Sequence, residues 1–506
     1  MPELIALDIG TTGTKAALVS RDGRILASGY SAYASHNQAG NRVEQEPDAW
    51  WLATSEAIAQ LRTRLSMHAH ELAGIALSGQ MQDLIPIAAD DAIGPAVLYS
   101  DTRSQREAQM IIAQIGEEEL LRVTGNAQDA SSLLAKWCWL QAHDAERLAA
   151  AQTILFGAHS YVAWRLCGAT SCDYTTASTT GLFDLDHNVW ATDLLARLGL
   201  DPQKLPPLAA AAAQIGTLKT AAARALGLPA DLAVFAGAGD LAATTVGAGA
   251  GEPNRSYGYL GMSGWVAATL RATVRAVPPG AERSIFTLRH PDLQRVVRVA
   301  PMLTAGGNLD WVRAEIARDE DYGALNEIAA AAPVGSNGMI YLPYLNGERS
   351  PFRDPHARAC FVGIGGRTTR ADLIRAVMEG VCFAYRSLFD GLETMAETLY
   401  VVGGGAKSDV WMQILADVLG RELQVVAEPE HAAVRGAAII VGREMGWYED
   451  FAPRDIIPVA RSYAPRDRAH SAYEEQYGVF VALYPRLRSA FAQLAAAPAV
   501  LDPSRS

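Results

Sequence analysis

The stretch Leu4-Ile5-Ala6-Leu7-Asp8-Ile9-Gly10-Thr11-Thr12-Gly13-Thr14-Lys15-Ala16-Ala17-Leu18-Val19 decides the fold. An apolar run ends in an Asp, a turn of Gly and Thr follows, and a second β-type run leads away. The next turn, Arg21-Asp22-Gly23, introduces a third run, Arg24 to Tyr30. Three short runs at hairpin spacing predict a β-meander. A turn of Gly and Thr offers open backbone N–H groups and hydroxyls to phosphate oxygens. Asp8 is of the type that holds Mg²⁺ through water, since that ion uses one or two carboxylates and keeps several waters. The stretch is not a Walker A loop, which needs Gly-Lys-Ser/Thr running into a helix. On these residues alone a simple hairpin, with Asp8 as a turn residue, stands beside the phosphate reading.

The layout returns later. Tyr259-Leu260-Gly261-Met262-Ser263-Gly264-Trp265-Val266 again reads as strand, small-residue turn, strand. This echo predicts two domains of one architecture, related by duplication. Length agrees, because one hydrophobic core rarely grows past roughly 250–300 residues and the chain has 506. The Gly/Pro-rich run Gly247 to Pro253 is the predicted boundary. It gives domains at 1–248 and 249–495, with 496–506 as a frayed tail.

Composition narrows the function. Hydrophobic residues make up 50% and charged residues 19%, which excludes wholesale disorder. Lys plus Arg is 43 against 55 Asp plus Glu, a net charge of −12. With no basic block, the chain lacks the footprint of a nucleic-acid or anionic-membrane binder. Five Cys, an odd number without a CxxC pair, predict reduced thiols and a cytoplasmic setting. The N-terminus has no basic stretch ahead of a long apolar run and does not read as a signal peptide. The uncharged run Leu148 to Trp164 holds Gln152, Thr153, His159 and Ser160, too short and polar for a bilayer. His68, His70, His143, His187 and the other His are expected on surfaces or loops.

Further along, Pro47 opens a predicted helix with Asp48 as its cap. Glu71 to Gln80 reads as a strand, and Arg103–Ile115 and Ser131–Ala149 as helices. The Ala-rich stretch Leu205 to Leu226 reads as a surface excursion with a helix. Gly237-Ala238-Gly239-Asp240 places a carboxylate in a Gly-rich turn at a helix start. Asp240 is either the cap of that helix or a general base for a hydroxyl. Gly403-Gly404-Gly405 lets backbone approach a flat ligand, or simply makes a tight turn. In Tyr341 to Pro351, Glu348 and Arg349 are expected to pin a rigid loop.

Taken together and in order, these motifs resemble the FGGY family of carbohydrate kinases, part of the superfamily that holds actin and hexokinase-type sugar kinases. The likeness runs from about Ile5 to Gly442. It is carried by the Asp8 turn, AGAGDLAATTVGAG at 236–249, LPYLNGERSPFRDPHARACFVGI at 342–364 and VVGGGAKSDVWMQILADVLGREL at 401–423. Within the family the likeness is strongest to xylulokinases, through Ser78-Gly79-Gln80-Met81, Ser100 to Arg103 and Asp173 to Ser178. The resemblance implies an α/β protein of two duplicated ribonuclease H-like domains with a cleft between them. It implies ATP and Mg²⁺, a small sugar as acceptor, and a possible homodimer. Asp240 would be the general base, and Asp8 with Asp240 would hold the metal. Thr11, Thr12 and Lys15 would line the triphosphate, with Gly261 and Ser263 facing them. Gly306 and Gly307 would line the nucleotide, and Gly404, Gly405 and Ser408 the adenosine. Met81, Gln82, Asp101 and Arg103 would stand at the sugar. D-xylulose is the expected substrate, with ribulose, another ketose or a polyol as alternatives. A non-catalytic sugar-sensing regulator would want a DNA-binding helix-turn-helix and a basic patch, and neither shows. Three residues depart from the xylulokinase pattern: Gln82 where His is usual, Tyr99 where Trp is, and Met262 where Thr is.

Overall fold

A computed structural model describes residues 2–38, 41–61, 72–89, 91–272, 284–318, 320–392, 394, 396–453 and 456–496. The predicted tail and the His68 and His70 positions lie outside them, apart from Ala496.

The meander forms as read. Strands β1 (Glu3–Ile9), β2 (Gly13–Ser20) and β3 (Ile25–Ala32) are antiparallel neighbours. Strand β4 (Leu72–Gly79) joins β1 in parallel, β6 (Ala233–Phe235) joins β4 in parallel, and β5 (Gln214–Thr217) joins β6 antiparallel. The stretch expected as a surface excursion thus supplies the edge strand of the first sheet. The second sheet holds β7 (Arg255–Leu260), β8 (Gly264–Arg271), β9 (Phe286–Arg289), β10 (Arg295–Met302), β11 (Thr398–Val402), β12 (Glu422–Val426) and β13 (Val459–Tyr463), in the order β9-β10-β8-β7-β11-β12-β13.

Read from β3 and from β10, the sheets match in every step: antiparallel, antiparallel, parallel, parallel, antiparallel. Agreement in both order and sense is the structural form of the sequence echo. Among the described strands, β9 in the second sheet and the short Ala238–Gly239 segment beside β4 in the first have no counterpart. The β9 edge is covered by the first half: Asn126 accepts from Thr287 N at 2.8 Å and donates to Thr287 O at 2.9 Å, and Thr175 Oγ1 donates to Arg289 O at 2.6 Å. Covering an edge strand this way blocks its pairing with another chain.

Strand β1 is buried on both faces, as strands sandwiched between helices are. Ile5, Leu7 and Ile9 face a cluster containing Tyr161 and Val162 of the helix Ala158–Cys167. Leu4 and Ala6 face Val434, Ala437 and Ala438. Those last residues belong to helix α2 (Ala432–Glu444) of the second half; its equivalent in the first half is α1 (Asp240–Gly247). The two helices cross in backbone contact. A Cβ added to Gly247 would lie 1.8 Å from the carbonyl oxygen of Ala432, and one added to Gly436 would lie 1.8 Å from that of Ala243. The reciprocity marks the local axis relating the two halves.

Four local expectations are corrected. The helix Pro47–Ala59 is capped at Glu46, and Asp48 lies in its first turn. Pro47 fixes the first helical φ, so the cap falls at Glu46 and not at Asp48. The Ser131–Ala149 stretch splits into Leu133–His143 and Ala145–Ala150, because the Asp144 side chain accepts from Arg147 N and caps a new helix. The helix expected from Arg103 begins at Gln105. His159 and His290 are fully buried: one is paired with an Asp, while the other accepts from Asp292 N and packs edge-on against Phe451.

Candidate active site

The strands β1, β4 and the short Ala238–Gly239 segment run parallel, so their carboxyl ends share one side of the sheet. That side is where α/β sheets take ligands. Asp8 is in register with Ser78, and Ser78 with Ala238. The Ser78 hydroxyl donates to Asp8 Oδ1 at 3.0 Å. Asp240 opens α1, but the cap residue is Gly239 and no side chain serves as cap. The Asp240 carboxylate is therefore not spent on capping.

Burial, then the charge of Asp8, pushes the Asp240 carboxyl up to about 7, against a hydrogen bond from the Leu241 N–H. Burial also raises the Asp8 carboxyl, against Ser78, Lys15 and His159. Two adjacent carboxylates that burial leaves short of counter-charge form a site suited to a cation.

Behind them lies a pair of which only Asp173 carried a sequence likeness. Asp173 Oδ2 meets His159 Nε2 at 3.0 Å, and both side chains are buried. Asp173 Oδ1 accepts from Thr175 N, Thr176 N and, at 3.4 Å, Gly239 N. Burial alone would raise this carboxyl, but the His159 contact and the amides hold it below its usual range. Asp173 thus ties down the residue before Asp240. The Asp-x-Thr-Thr pattern is a helix-start signal; the buried His partner, 14 residues upstream, has no local signature.

The Gly10–Thr12 turn is braced through its carbonyls. Gly10 O accepts from Tyr33, Thr11 O from Gln45 at 2.7 Å, and Thr12 O from Tyr30 at 3.1 Å. Lys15 is the register partner of Asp8 across the hairpin, which puts both side chains on one face. Its ammonium donates to the Glu430 carbonyl of the second half. The turn at Gly261 occupies the equivalent place but closes one residue tighter: Gly261 N donates to Ser263 O at 3.0 Å, whereas Gly10 N donates to Gly13 O at 3.1 Å. Carbonyls of Gly261 and Met262 accept from Gly306 and Gly307 at 2.7 and 3.1 Å. Gly403, at φ +99°, packs on the Leu260 backbone, and Gly405 on the Leu260 side chain. Gly261, Gly306, Gly307 and Gly405 thus gather around the end of β7, while Gly404 faces open space. Ser408 caps the helix Asp409–Leu419 by accepting from Trp411 N at 3.1 Å, and donates to Asn326.

On the other side the Met81 thioether fills the space over Gly239, beside Asp240. Gln82 adopts a left-handed φ of 65° and donates through Nε2 to Thr179 O at 2.9 Å. Asp101 and Arg103 are not brought to the cleft as free groups. Asp101 accepts from Val43 N at 2.6 Å and from Arg103, whose Nη2 also reaches Glu44 at 2.7 Å. The Arg103 guanidinium lies 5.0 Å from the centre of the Trp139 ring. A group that spacing did not place is Arg349. It reaches from the second half to Ser131 Oγ at 3.1 Å, and its charge acts on Tyr99. Its neighbour Glu348 accepts from Leu303 N and Arg349 N, pinning the loop, and burial pushes its carboxyl up to about 7.

Among the described residues no three or more His, Cys, Asp or Glu gather into a metal cage. Mg²⁺ needs none, since it binds through one or two carboxylates with waters and phosphates; Asp8 and Asp240 fit that requirement. No helix among the described residues is long and apolar enough to cross a membrane.

Comparison with known proteins agrees with this architecture. Models of the FGGY family of carbohydrate kinases match the chain with the N-terminal domain at residues 4–247 and the C-terminal domain at 295–445. A xylulose kinase of Bacillus subtilis is 28% identical over 493 residues, 96% of this chain and 97% of that protein. The crystal structure of ligand-bound xylulose kinase from Lactobacillus acidophilus superposes with a TM-score of 0.90 at 25% identity, covering 98% of this chain and 100% of that one. That of a gluconate kinase from Lactobacillus acidophilus gives 0.90 at 25% identity, covering 97% and 99%. With both domains matched in order over most of its length, the chain belongs to the FGGY family of carbohydrate kinases.

Proposed function

We propose that this ATP-dependent sugar kinase phosphorylates a ketopentose, D-xylulose first, and that Asp240 is its general base. The observation carrying the chemistry is the Asp240 carboxylate, free of capping duty and poised at about 7 beside Asp8. A base with a pKa near working pH combines availability with driving force. Asp240 takes the proton of the attacking hydroxyl as that oxygen approaches phosphorus. Lys15 and the N–H groups of the Gly10 and Gly261 turns hold the phosphate oxygens, as a loose phosphoryl-transfer transition state requires. Mg²⁺, held by Asp8 and Asp240, would supply charge neutralisation. Asp173 keeps Gly239 and so the base in place. The remaining proposed roles follow the same layout: Thr11, Thr12 and Ser263 at the phosphates, Gly306, Gly307, Gly404, Gly405 and Ser408 at the nucleoside, Met81 and Gln82 at the sugar. Five free thiols suit a cytoplasmic enzyme.

Support for D-xylulose comes from the names of the relatives. Arg349 favours a second reading, a sugar acid, because a guanidinium at the acceptor wall matches a carboxylate bidentately. The similarity to a gluconate kinase points the same way. ADP release across D-xylulose, D-ribulose, L-ribulose, glycerol and gluconate tests both. Preference for D-xylulose supports the first reading. Preference for gluconate, lost in Arg349→Met, supports the second.

The pKa of Asp240 predicts a pH effect. An activity that needs the ionised carboxylate is present above its pKa and falls as pH drops through it. The kcat/KM profile should therefore show an acid limb near 7, displaced downward to the extent that Mg²⁺ stabilises the ionised form. A profile with no acid limb anywhere above the unperturbed carboxylate value of 3.8 would count against the base.

A further inference from the structure

The wall behind Gln82 and Tyr99 holds a buried carboxyl and a buried amine that the mechanism above does not use, and burial raises the pKa of the first and lowers that of the second. Lys136, on the helix Leu133–His143, is 1% exposed, and Asp83 is fully buried. The Lys136 ammonium donates to Leu98 O at 2.6 Å and, more weakly, to Gln82 O at 3.5 Å. Asp83 Oδ1 accepts from Tyr99 N at 3.2 Å. Asp83 Oδ2 is buried without a hydrogen-bond partner. Each group thus connects the two segments of the wall, 82–83 and 98–99: Lys136 bonds to Gln82 O and Leu98 O, and Asp83 bonds to Tyr99 N.

We propose that Asp83 and Lys136 are a positioning pair that holds Gln82 and Tyr99 against the acceptor and so sets which acceptor is taken. The inference rests on the sugar-kinase reading above. Gln82 is the reason a pair is needed. It is a non-glycine residue at φ 65°, a conformation that persists only where surroundings over-determine it. Lys136 holds its carbonyl, and the Thr179 carbonyl holds its side-chain amide. A lone buried cation would be costly; Asp83 is the foremost of the carboxylates that compensate Lys136, ahead of Asp101 and Asp129. Buried ionisable pairs rarely add net stability, and this one contacts the backbone on both sides of the wall, at Gln82 O and Leu98 O through Lys136 and at Tyr99 N through Asp83. Misplaced polar groups at a sugar wall discriminate strongly, because unpaired buried groups are penalised.

The test uses the full chain with Asp83→Asn, Lys136→Met and Lys136→Arg. Sugar-dependent ADP release and the KM for ATP are measured beside the melting temperature. The expected result for Asp83→Asn and Lys136→Met is an acceptor KM raised about tenfold or more, with the KM for ATP within about twofold and the preference among ketopentoses altered. Lys136→Arg, which keeps the charge, should recover part of the acceptor affinity. If Lys136→Met does not fold, the double variant Asp83→Asn/Lys136→Met, which leaves no lone buried charge, carries the same expectation. A lower melting temperature with unchanged acceptor KM and unchanged preference would overturn the proposal and leave the kinase reading intact. A wild-type protein without sugar-dependent ADP release would overturn both.

Discussion

Asp240→Asn should lower kcat for the acceptor sugar about 10²–10⁴-fold, the usual worth of a positioned base. The KM for ATP should change far less, because the turn residues at Gly10 and Gly261 are untouched. Stability supplies the control. The Asp240 carboxyl titrates at about 7 in the folded chain against 3.8 when unperturbed. Between those values the folded state holds a proton that the unfolded state has lost. Stability therefore falls as pH rises through that window, and the full penalty stands above it. Asn carries no such penalty. The variant should melt at or above the wild-type temperature at pH 8, and its advantage should shrink as pH falls toward 4. Loss of activity with a raised melting temperature separates a removed base from a damaged fold. A variant retaining more than about a tenth of wild-type kcat would exclude the role.

Gly436→Val should have the largest effect on stability. The new side chain would meet the Ala243 carbonyl, a backbone atom that cannot rotate aside. Overpacking against a flexible side chain costs about 1–3 kcal/mol; here the two helices must separate, so the loss should be about 3 kcal/mol or more. Separation would also shift Asp240, since α1 carries it, so kcat should fall with stability. Gly478→Ala is the contrasting case. Gly478 is exposed within the helix Asp467–Ala496, and nothing lies within 4 Å of an added Cβ. It should gain about 0.5–1 kcal/mol, the usual Gly-to-Ala difference within a helix. Denaturant midpoints of both variants check the pair. Equal behaviour would mean that the helix crossing is not the tight contact described.

The features legible in the sequence were the local ones. Short apolar β-type runs and small-residue turns announced both hairpins, and their repetition announced the duplication. The Gly-rich turns drew attention to Asp8 and Asp240, which the structure brings to neighbouring strand ends. What stayed hidden depended on partners far along the chain. Asp101 was expected near the sugar; in the fold it accepts from Val43 N and from Arg103, which also reaches Glu44. Gly247 read as the start of a Gly/Pro-rich domain boundary; in the folded protein it is also the close-contact point of α1 with α2. The β9 edge depends on Asn126, 161 positions from Thr287. His159 sits on an apolar helix face, and only its pairing with Asp173 distinguishes it from a core residue. Pairing patterns are local; the partners of buried polar groups are not.

The central claim is phosphoryl transfer from ATP to a ketopentose through Asp240. The most direct measurement incubates the wild-type protein with ATP, Mg²⁺ and D-xylulose and quantifies both products. The account predicts ADP and a pentose monophosphate in equal amounts, both lost in Asp240→Asn. ADP formed without phosphorylated sugar, or pentose phosphate formed at an undiminished rate by Asp240→Asn, would contradict it.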